Sequence, residues 1–284
     1  MTDMIGVVGG GLMGSGIVEI TARAGLEVVN VEISADAARA ARARVETSLG
    51  HAVAREKLSQ AAAEAALERI RFSDDLSSLA DSGLVIEAAS EKESVKLALF
   101  QEIGAILSRD DAILASNTSS IPIVKLGAVS GRPAQVIGVH FFNPAPIMQL
   151  VELIPSLTTA PETMARMRSF VTDDLGKQAI EASDRAGFVV NSLLVPYLLS
   201  AIRMFEAGYA SAEDIDRGMV LGCGHPMGPL ALSDLIGLDT VQAIGRSLYE
   251  EFKEPLYSPP PLLDRMVDAG LLGTKSGHGF FEHD

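Results

Sequence analysis

The sequence has no tryptophan, one cysteine (Cys223) and only 5% aromatic residues among its 284 positions. A lone cysteine excludes a disulfide within the chain, and it is typical of a protein in the reducing cytoplasm. Apolar residues make up 48% of the chain and charged residues 21%, a composition that excludes intrinsic disorder and collagen. Because a chain of this length can bury a core without cross-links, we expect an ordinary globular fold.

Basic residues are also scarce, since 23 Lys and Arg stand against 37 Asp and Glu and give a formal net charge of −14. Such a surface repels DNA and anionic membranes, so we expect no nucleic-acid partner and no membrane partner. The N-terminus lacks the basic start and long apolar stretch of a signal peptide. The most apolar region, 189–205, is interrupted by polar residues and by Pro196, which favours a buried helix over a membrane span.

Short apolar runs alternate with helical patterns through the first half of the chain. An apolar run that is not alternating predicts a strand buried on both faces, as in a parallel sheet covered by helices. We predict strands at 4–8, 28–31, 84–87, 112–115 and 136–139, and helices at 14–24, 35–47, 94–107 and 162–175. Ser34 precedes one of these helices as a candidate N-cap. This order predicts an α/β fold with a doubly wound, mostly parallel sheet.

The pattern changes near residue 187, after which strand signals fade. We predict helices at 188–208, 212–221 and 231–250, then an extended break at three consecutive prolines, 259–261, and a glycine-rich tail that is not a helix. The sequence therefore predicts two domains, 1–186 with the sheet and 187–284 as a smaller, all-helical domain.

A glycine-rich turn follows the first predicted strand and opens a helix. Gly9, Gly11 and Gly14 fit the pattern GxGxxG, and the turn is completed by Gly10, Leu12 and Met13. In this context the pattern is typical of a Rossmann-type dinucleotide site, where the pyrophosphate lies at the helix N-terminus. Glu32 ends the second predicted strand, where a carboxylate binds an adenosine ribose and repels a 2′-phosphate, so NAD is favoured over NADP. The alternative is a plain glycine turn beside a surface glutamate.

Polar residues after the later strands are candidates for chemistry, because ligands bind at the carboxyl ends of parallel strands. His140 follows one strand, and Glu152 lies in the apolar run 150–154, where a carboxylate needs a partner. A histidine steadied by a carboxylate is suited to taking the proton of a hydroxyl during alcohol oxidation. The alternative, a buried histidine with a strand-edge glutamate, is equally compatible with the spacing. The remaining histidines, His51, His225, His278 and His283, are weaker candidates, and the sequence has no metal-binding motif.

Several motifs together identify the chain as similar to the L-3-hydroxyacyl-CoA dehydrogenases, in their short bacterial form. They are GGGLMGSG at 9–16, SNTSS at 116–120, HFFNPAPIMQLVEL at 140–153, HPMGPLALSDLIGLD at 225–239 and KSGHGFF at 275–281. The resemblance runs almost end to end. It implies NAD-dependent oxidation of a 3-hydroxyacyl-CoA thioester, here of short chain, in fatty acid metabolism.

The resemblance also implies roles for individual residues. It makes His140 the catalytic base, Glu152 its orienting partner, Ser119 a contact of substrate and nicotinamide, and Asn191 a substrate contact. Further expected contacts with NAD are Glu91, Lys96, Asn143 and Lys275. Ser48 matches a coenzyme A contact whose basic partner is Lys57 or Arg55.

Coenzyme A is polyanionic, and a locally basic stretch lies in the predicted helix after Ser34. It contains Arg39, Arg42, Arg44, Arg55 and Lys57. These residues either receive phosphate groups or form ion pairs along a solvated helix face, and the spacing fits both interpretations equally.

The chain departs from the family pattern at Ala186, where proline is usual, and at Ser192, where arginine is usual. The missing arginine motivates a competing hypothesis, the same chemistry on a hydroxyacyl group borne by an acyl carrier protein. Two further hypotheses are a small β-hydroxy-acid dehydrogenase and a non-catalytic NAD-binding protein. Apolar residues of the helical domain, Leu193, Leu194, Val195, Leu198, Leu199 and Ile202, exceed what so small a domain is expected to bury, so we predict a homodimer through it.

Overall fold

The computed structural model describes residues 4–283. Contacts between Cα atoms divide the chain into two compact units, the first ending at Arg185 and the second beginning at Ala186. Each unit has its own hydrophobic core.

The first unit is built on one eight-stranded sheet. Its strands are β1 (Ile5–Val8), β2 (Val28–Val31), β3 (Ile70–Ser73), β4 (Leu84–Glu87), β5 (Ile113–Ser116), β6 (Val136–Phe141), β7 (Leu150–Pro155) and β8 (Gln178–Glu181). Their order is β3-β2-β1-β4-β5-β6-β7-β8, and every neighbouring pair is parallel except β6 and β7. The chain order reverses beside β1, which creates the crevice where doubly wound sheets bind ligands. The predicted fold class is confirmed.

Helices connect the strands of the first unit. They are α1 (Leu12–Arg23), α2 (Ala35–Ala54), α3 (Gln60–Glu68), α4 (Glu93–Ile106), α5 (Ile123–Val129) and α6 (Pro161–Ser169). Ser34 caps α2 as predicted, since its side chain accepts a hydrogen bond from Ala37 N at 3.2 Å. The central strands β1, β2, β4 and β5 are buried along their whole length, which explains their mostly apolar sequences.

Three strands were not predicted from the sequence. The strands β3 and β8 lie at the two edges of the sheet and are only partly buried, so charged and polar residues break their apolar pattern. The third, β7, is buried but contains Glu152, and it returns antiparallel to β6 after a short connection. Partial exposure of β3 and β8 and the buried carboxylate in β7 therefore hid three strands that only tertiary pairing reveals.

The second unit consists of helices α7 (Val190–Glu206), α8 (Ala212–Cys223), α9 (Pro229–Ile236), α10 (Leu238–Phe252) and α11 (Pro261–Asp268). The single helix predicted at 231–250 is wrong, because Gly237 separates α9 from α10 with a φ of +98°. The three prolines do give extended backbone at Pro260, but Pro261 then begins α11, a position that proline tolerates well.

The expectation that the second unit cannot bury the apolar residues of α7 is largely wrong. Four of the six residues lie in the core of the second unit: Val195, Leu198, Leu199 and Ile202. Of the same six, Leu193 is strongly exposed, at 73%. One face of α7 thus packs on the neighbouring helices of its own unit. Within residues 4–283, no helix is both long enough and apolar enough to cross a membrane.

Candidate active site

The glycine turn between β1 and α1 requires glycine at two of its positions. Gly9 has a φ of +91°, and a Cβ atom added at Gly14 would lie 2.0 Å from the carbonyl oxygen of Gly9. At Gly11, by contrast, an added Cβ would meet nothing within 4 Å. The turn is therefore closed on the protein side and open at Gly11, where α1 begins without a side-chain cap. Uncapped N–H groups and the helix dipole at such a point suit a pyrophosphate.

Glu32 stands beside this turn. Its carboxylate accepts a short hydrogen bond from Gly10 N and a longer one, at 3.3 Å, from Ile33 N. The carboxylate is thereby fixed at the end of β2, where the adenosine ribose of a dinucleotide lies in this fold. The glycine turn and Glu32 together fit NAD.

His140 and Glu152 are hydrogen-bonded partners on β6 and β7. The antiparallel register pairs the two residues directly, so their side chains lie on the same face, and His140 Nδ1 is 2.7 Å from Glu152 Oε2. The Glu152 side chain is completely buried, and the His140 side chain is 10% exposed. Because a carboxylate can only accept, this contact places the proton of the neutral ring on Nδ1, and Nε2 is the ring nitrogen that Glu152 does not contact.

The SNTSS segment after β5 is organised by Glu91. The Glu91 carboxylate accepts hydrogen bonds from Thr118 Oγ1 at 2.5 Å and from Ser119 N at 2.8 Å. Burial acts to raise the pKa of Glu91, but the charge of Lys96 and these hydrogen bonds outweigh it, so the pKa lies below its ordinary value. Glu91 is therefore a fixed negative charge that holds the backbone at Ser119.

Lys96 lies behind Glu91 in a buried ion pair. Its Nζ is 2.7 and 2.9 Å from the two oxygens of Glu87 and 3.4 Å from Glu91, and both Lys96 and Glu87 are completely buried. Ser116 Oγ donates to Glu87 at 2.6 Å. Lys96 is thus enclosed by protein groups, and Glu91 connects it to the backbone at Ser119.

A pocket of about 410 Å³ opens in the first unit between α1, α2 and the segment that joins β6 to β7. Ser48 and Asn143, both predicted as ligand contacts, line it, together with Arg44 and His51. Arg55 and Lys57 are exposed near the end of α2 and are not among the lining residues. The pocket joins the helix that follows the glycine turn to the segment that follows His140.

The locally basic stretch separates into two groups. Arg39 forms an ion pair with Asp36, and Arg42 forms one with Glu46. These two arginines therefore form ion pairs along a solvated helix face, one of the two alternatives that the sequence left open. Arg44 instead donates to the carbonyl oxygen of Gly10 at 2.9 Å. It therefore ties α2 to the glycine turn.

Two predicted site residues belong to the second unit. Asn191 lies in the first turn of α7 and is 9% exposed. Lys275 lies in the tail, where its Nζ is 2.7 Å from Asp239 and 2.8 Å from Thr240. Ser192, where the family usually has arginine, donates to Phe188 O at 2.7 Å and so serves the turn before α7.

Sequence reasoning missed Glu87, Asn117 and Lys177. Asn117 Oδ1 accepts a hydrogen bond from Phe141 N at 2.9 Å and thereby links the Ser119 segment to the strand of His140. Glu87, the last residue of a buried strand, was detectable as a carboxylate at the carboxyl end of the sheet. Lys177 carried no sequence signal, because its partners are backbone carbonyls.

Family models match both units. Residues 4–185 match the NAD binding domain of 3-hydroxyacyl-CoA dehydrogenase, and residues 187–283 match the C-terminal domain of the same family. The chain is 53% identical over 279 residues to a 3-hydroxybutyryl-CoA dehydrogenase of Mycobacterium tuberculosis, covering 98% of each chain. It is 46% identical over 278 residues to a probable 3-hydroxybutyryl-CoA dehydrogenase of Deinococcus radiodurans, covering 98% of this chain and 99% of that one.

Solved structures are similar over the same length. The crystal structure of M. tuberculosis FadB2 has a TM-score of 0.99 at 52% identity, covering 100% of this chain and 99% of that one. The structure of (S)-3-hydroxybutyryl-CoA dehydrogenase PaaH1 from Ralstonia eutropha has a TM-score of 0.94 at 44% identity and covers both chains completely.

Proposed function

The chain belongs to the 3-hydroxyacyl-CoA dehydrogenase family, and from this membership we propose that it interconverts L-3-hydroxyacyl-CoA and 3-ketoacyl-CoA thioesters with NAD. Its preferred substrate is a short-chain thioester such as 3-hydroxybutyryl-CoA, the substrate named for its relatives in M. tuberculosis and R. eutropha. The observation that carries the proposal is the 2.7 Å contact between His140 and the buried Glu152, at the carboxyl edge of a sheet that bears a dinucleotide turn.

His140 is the catalytic base of this proposal. Nε2 takes the proton of the 3-hydroxyl group, and the ring becomes an imidazolium whose charge the Glu152 carboxylate stabilises. Bound NAD⁺ supplies the acceptor for the hydride that leaves C3. In the reverse direction the imidazolium returns its proton to the oxygen of the 3-ketone.

Ser119 and Asn191 orient the hydroxyl and carbonyl region of the thioester. Support for Ser119 comes from the hydrogen bonds that hold its segment against Glu91, because a fixed backbone keeps the serine hydroxyl in place at little entropic cost. Ser48 is the contact for coenzyme A, supported by its place in the pocket wall. Lys57 or Arg55, which are both exposed and lie outside the pocket lining, binds the phosphate groups of coenzyme A.

We expect the protein to oxidise NADH in the presence of acetoacetyl-CoA and to use NADPH far less well, because Glu32 repels a 2′-phosphate. The measurement is initial rates at 340 nm with both nucleotides. An acyl-carrier-protein thioester is the control substrate, and Glu32→Ala is the control variant, in which the preference for NADH should fall. Inactivity with the coenzyme A thioester would contradict the function, and a preference for NADPH would contradict the role of Glu32.

We also propose that the two units divide the work and that the protein is a cytoplasmic homodimer. The first unit carries NAD, and the second contributes to substrate binding and dimerisation. Support comes from exposed apolar side chains in the second unit, including Leu193 and Leu221, each 73% exposed, and from the single, exposed Cys223, which suits a reducing compartment.

A dimer predicts twice the chain mass of 29.9 kDa for the protein at micromolar concentration. Light scattering coupled to gel filtration measures this mass directly, and Leu193→Asp should shift it towards the monomer. A monomeric mass for the unsubstituted chain would refute the dimer.

A further inference from the structure

We propose that Lys177 is a positioning residue that fixes the pocket wall formed by residues 143–148 and thereby sets the KM for the thioester. The proposal rests on the function proposed above, and nothing in that mechanism uses Lys177. The segment 143–148 joins the strand of His140 to the strand of Glu152, and its first four residues line the pocket opposite Ser48 and Arg44.

Lys177 holds this wall by two hydrogen bonds. Its Nζ donates to Ala145 O at 2.8 Å and to Met148 O at 2.7 Å, and the residue is only 5% exposed. A buried ammonium group is costly unless it is well hydrogen-bonded, and bonds from a charged donor are stronger than neutral ones. The two bonds to backbone carbonyls therefore restrain the wall whatever its side chains are.

The backbone of Lys177 is itself hydrogen-bonded within the first unit. The residue immediately precedes β8, and its own backbone N–H donates to Val171 O at 3.0 Å. α1 also packs closely against the wall, since a Cβ added at Gly16 would lie 3.0 Å from Ala145 Cβ and 3.2 Å from Pro146 Cδ. The wall is thus in contact with both Lys177 and the helix of the glycine turn.

The catalytic pair does not depend on this restraint. His140 and Glu152 are held by the ladder between β6 and β7 and by their own side-chain contact, both of which lie on the strands before and after the wall. Loss of the Lys177 bonds should therefore loosen the surface that receives the thioester while leaving the proton-transfer geometry in place. This predicts an effect on KM without a matching effect on kcat.

The restraint also depends on the charge of Lys177. Burial first, and then the positive charge of Arg23, hold the pKa of Lys177 below its ordinary value. Arg23 belongs to α1 and is paired with Glu19 at 2.9 Å, so its own charge is partly compensated. As pH rises through this lowered pKa, the ammonium loses its charge and the bonds weaken. In the unsubstituted enzyme the KM for the thioester should therefore rise as the pH increases. This rise should begin at a lower pH than it would if the pKa of Lys177 were that of an ordinary lysine.

The test compares Lys177→Met with Lys253→Met, which removes an exposed lysine from the second unit. We expect Lys177→Met to raise the KM for 3-hydroxybutyryl-CoA about tenfold, equivalent to about 1.4 kcal/mol. The values of kcat and of the NADH dissociation constant should stay close to those of Lys253→Met. The alkaline rise in KM should disappear, because the group that titrates has been removed. A folded Lys177→Met enzyme with an unchanged KM would overturn the proposal.

Gly16→Ala disturbs the same wall through α1 and keeps Lys177. Its added methyl must displace Ala145 and Pro146 by a few tenths of an ångström, so the thioester KM should rise here too. If Lys177→Met does not fold, the proposal is tested by the thioester KM of Gly16→Ala and by the dependence of KM on alkaline pH in the unsubstituted enzyme. An unchanged KM in both measurements overturns the proposal. An unsubstituted protein inactive on the thioester would refute the proposed function itself, which distinguishes the two failures.

Discussion

Replacing His140 by glutamine should lower turnover of 3-hydroxybutyryl-CoA on the order of 10²–10⁴-fold, the usual contribution of a positioned acid–base group. Glutamine can still donate a hydrogen bond to the buried Glu152 carboxylate, but it cannot exchange a proton near neutral pH. Binding of NADH should be unchanged, because the glycine turn and Glu32 lie on other elements. The measurements are steady-state rates and NADH fluorescence titration.

Two further variants sharpen this experiment. His140→Ala should lose at least as much turnover, while also leaving the Glu152 carboxylate without its imidazole partner and so reducing stability. His278→Ala, at an exposed position of the tail, is the matched control and should remain active. Near-normal turnover in His140→Gln would show that His140 is not the catalytic base and that its role is structural.

Replacing Lys96 by methionine should lower the free energy of unfolding by about 3–5 kcal/mol, because it leaves the Glu87 carboxylate buried without its cation. Both side chains of this pair are at most 1% exposed. The Glu91 carboxylate also loses its neighbouring charge, so its pKa should rise and its hold on Ser119 should weaken. The proper comparison is Lys125→Met, whose pair with Glu93 is about half exposed and is worth about 0–1 kcal/mol.

The choice of probe matters for this measurement. All four tyrosines lie after residue 186 and the chain has no tryptophan, so tyrosine fluorescence reports on the second unit alone. Hydrogen exchange of the amides in β4 and β5 follows the first unit instead. The double variant Glu87→Gln with Lys96→Met should recover much of the lost stability, since no buried charge remains unpaired. Equal effects of Lys96→Met and Lys125→Met would show that the buried pair has no special importance.

The sequence was most informative where a local pattern and its structural role coincide. Gly9 and Gly14 are required by backbone geometry within a few residues, so the dinucleotide turn could be predicted with its strand and helix. The buried strands β1, β2 and β4 were equally predictable, because burial on both faces leaves a mostly apolar run, broken by Asn30 in β2 and ended by Glu87 in β4. The helix break at Gly237 was not predicted, since the apolar pattern continues through it; the glycine is favoured there by its φ of +98°.

Spacing alone was equally compatible with a functional pair of His140 and Glu152 and with a buried histidine beside a strand-edge glutamate. The antiparallel return of β7 decided that these side chains meet, and the same topology placed residues 143–148 over Lys177. The sequence by itself determined the fold class, the nucleotide turn and the family. Tertiary structure alone decided which carboxylate meets which cation, as in Glu87 and Lys96, because such contacts join residues from separate elements and leave no periodic trace along the chain.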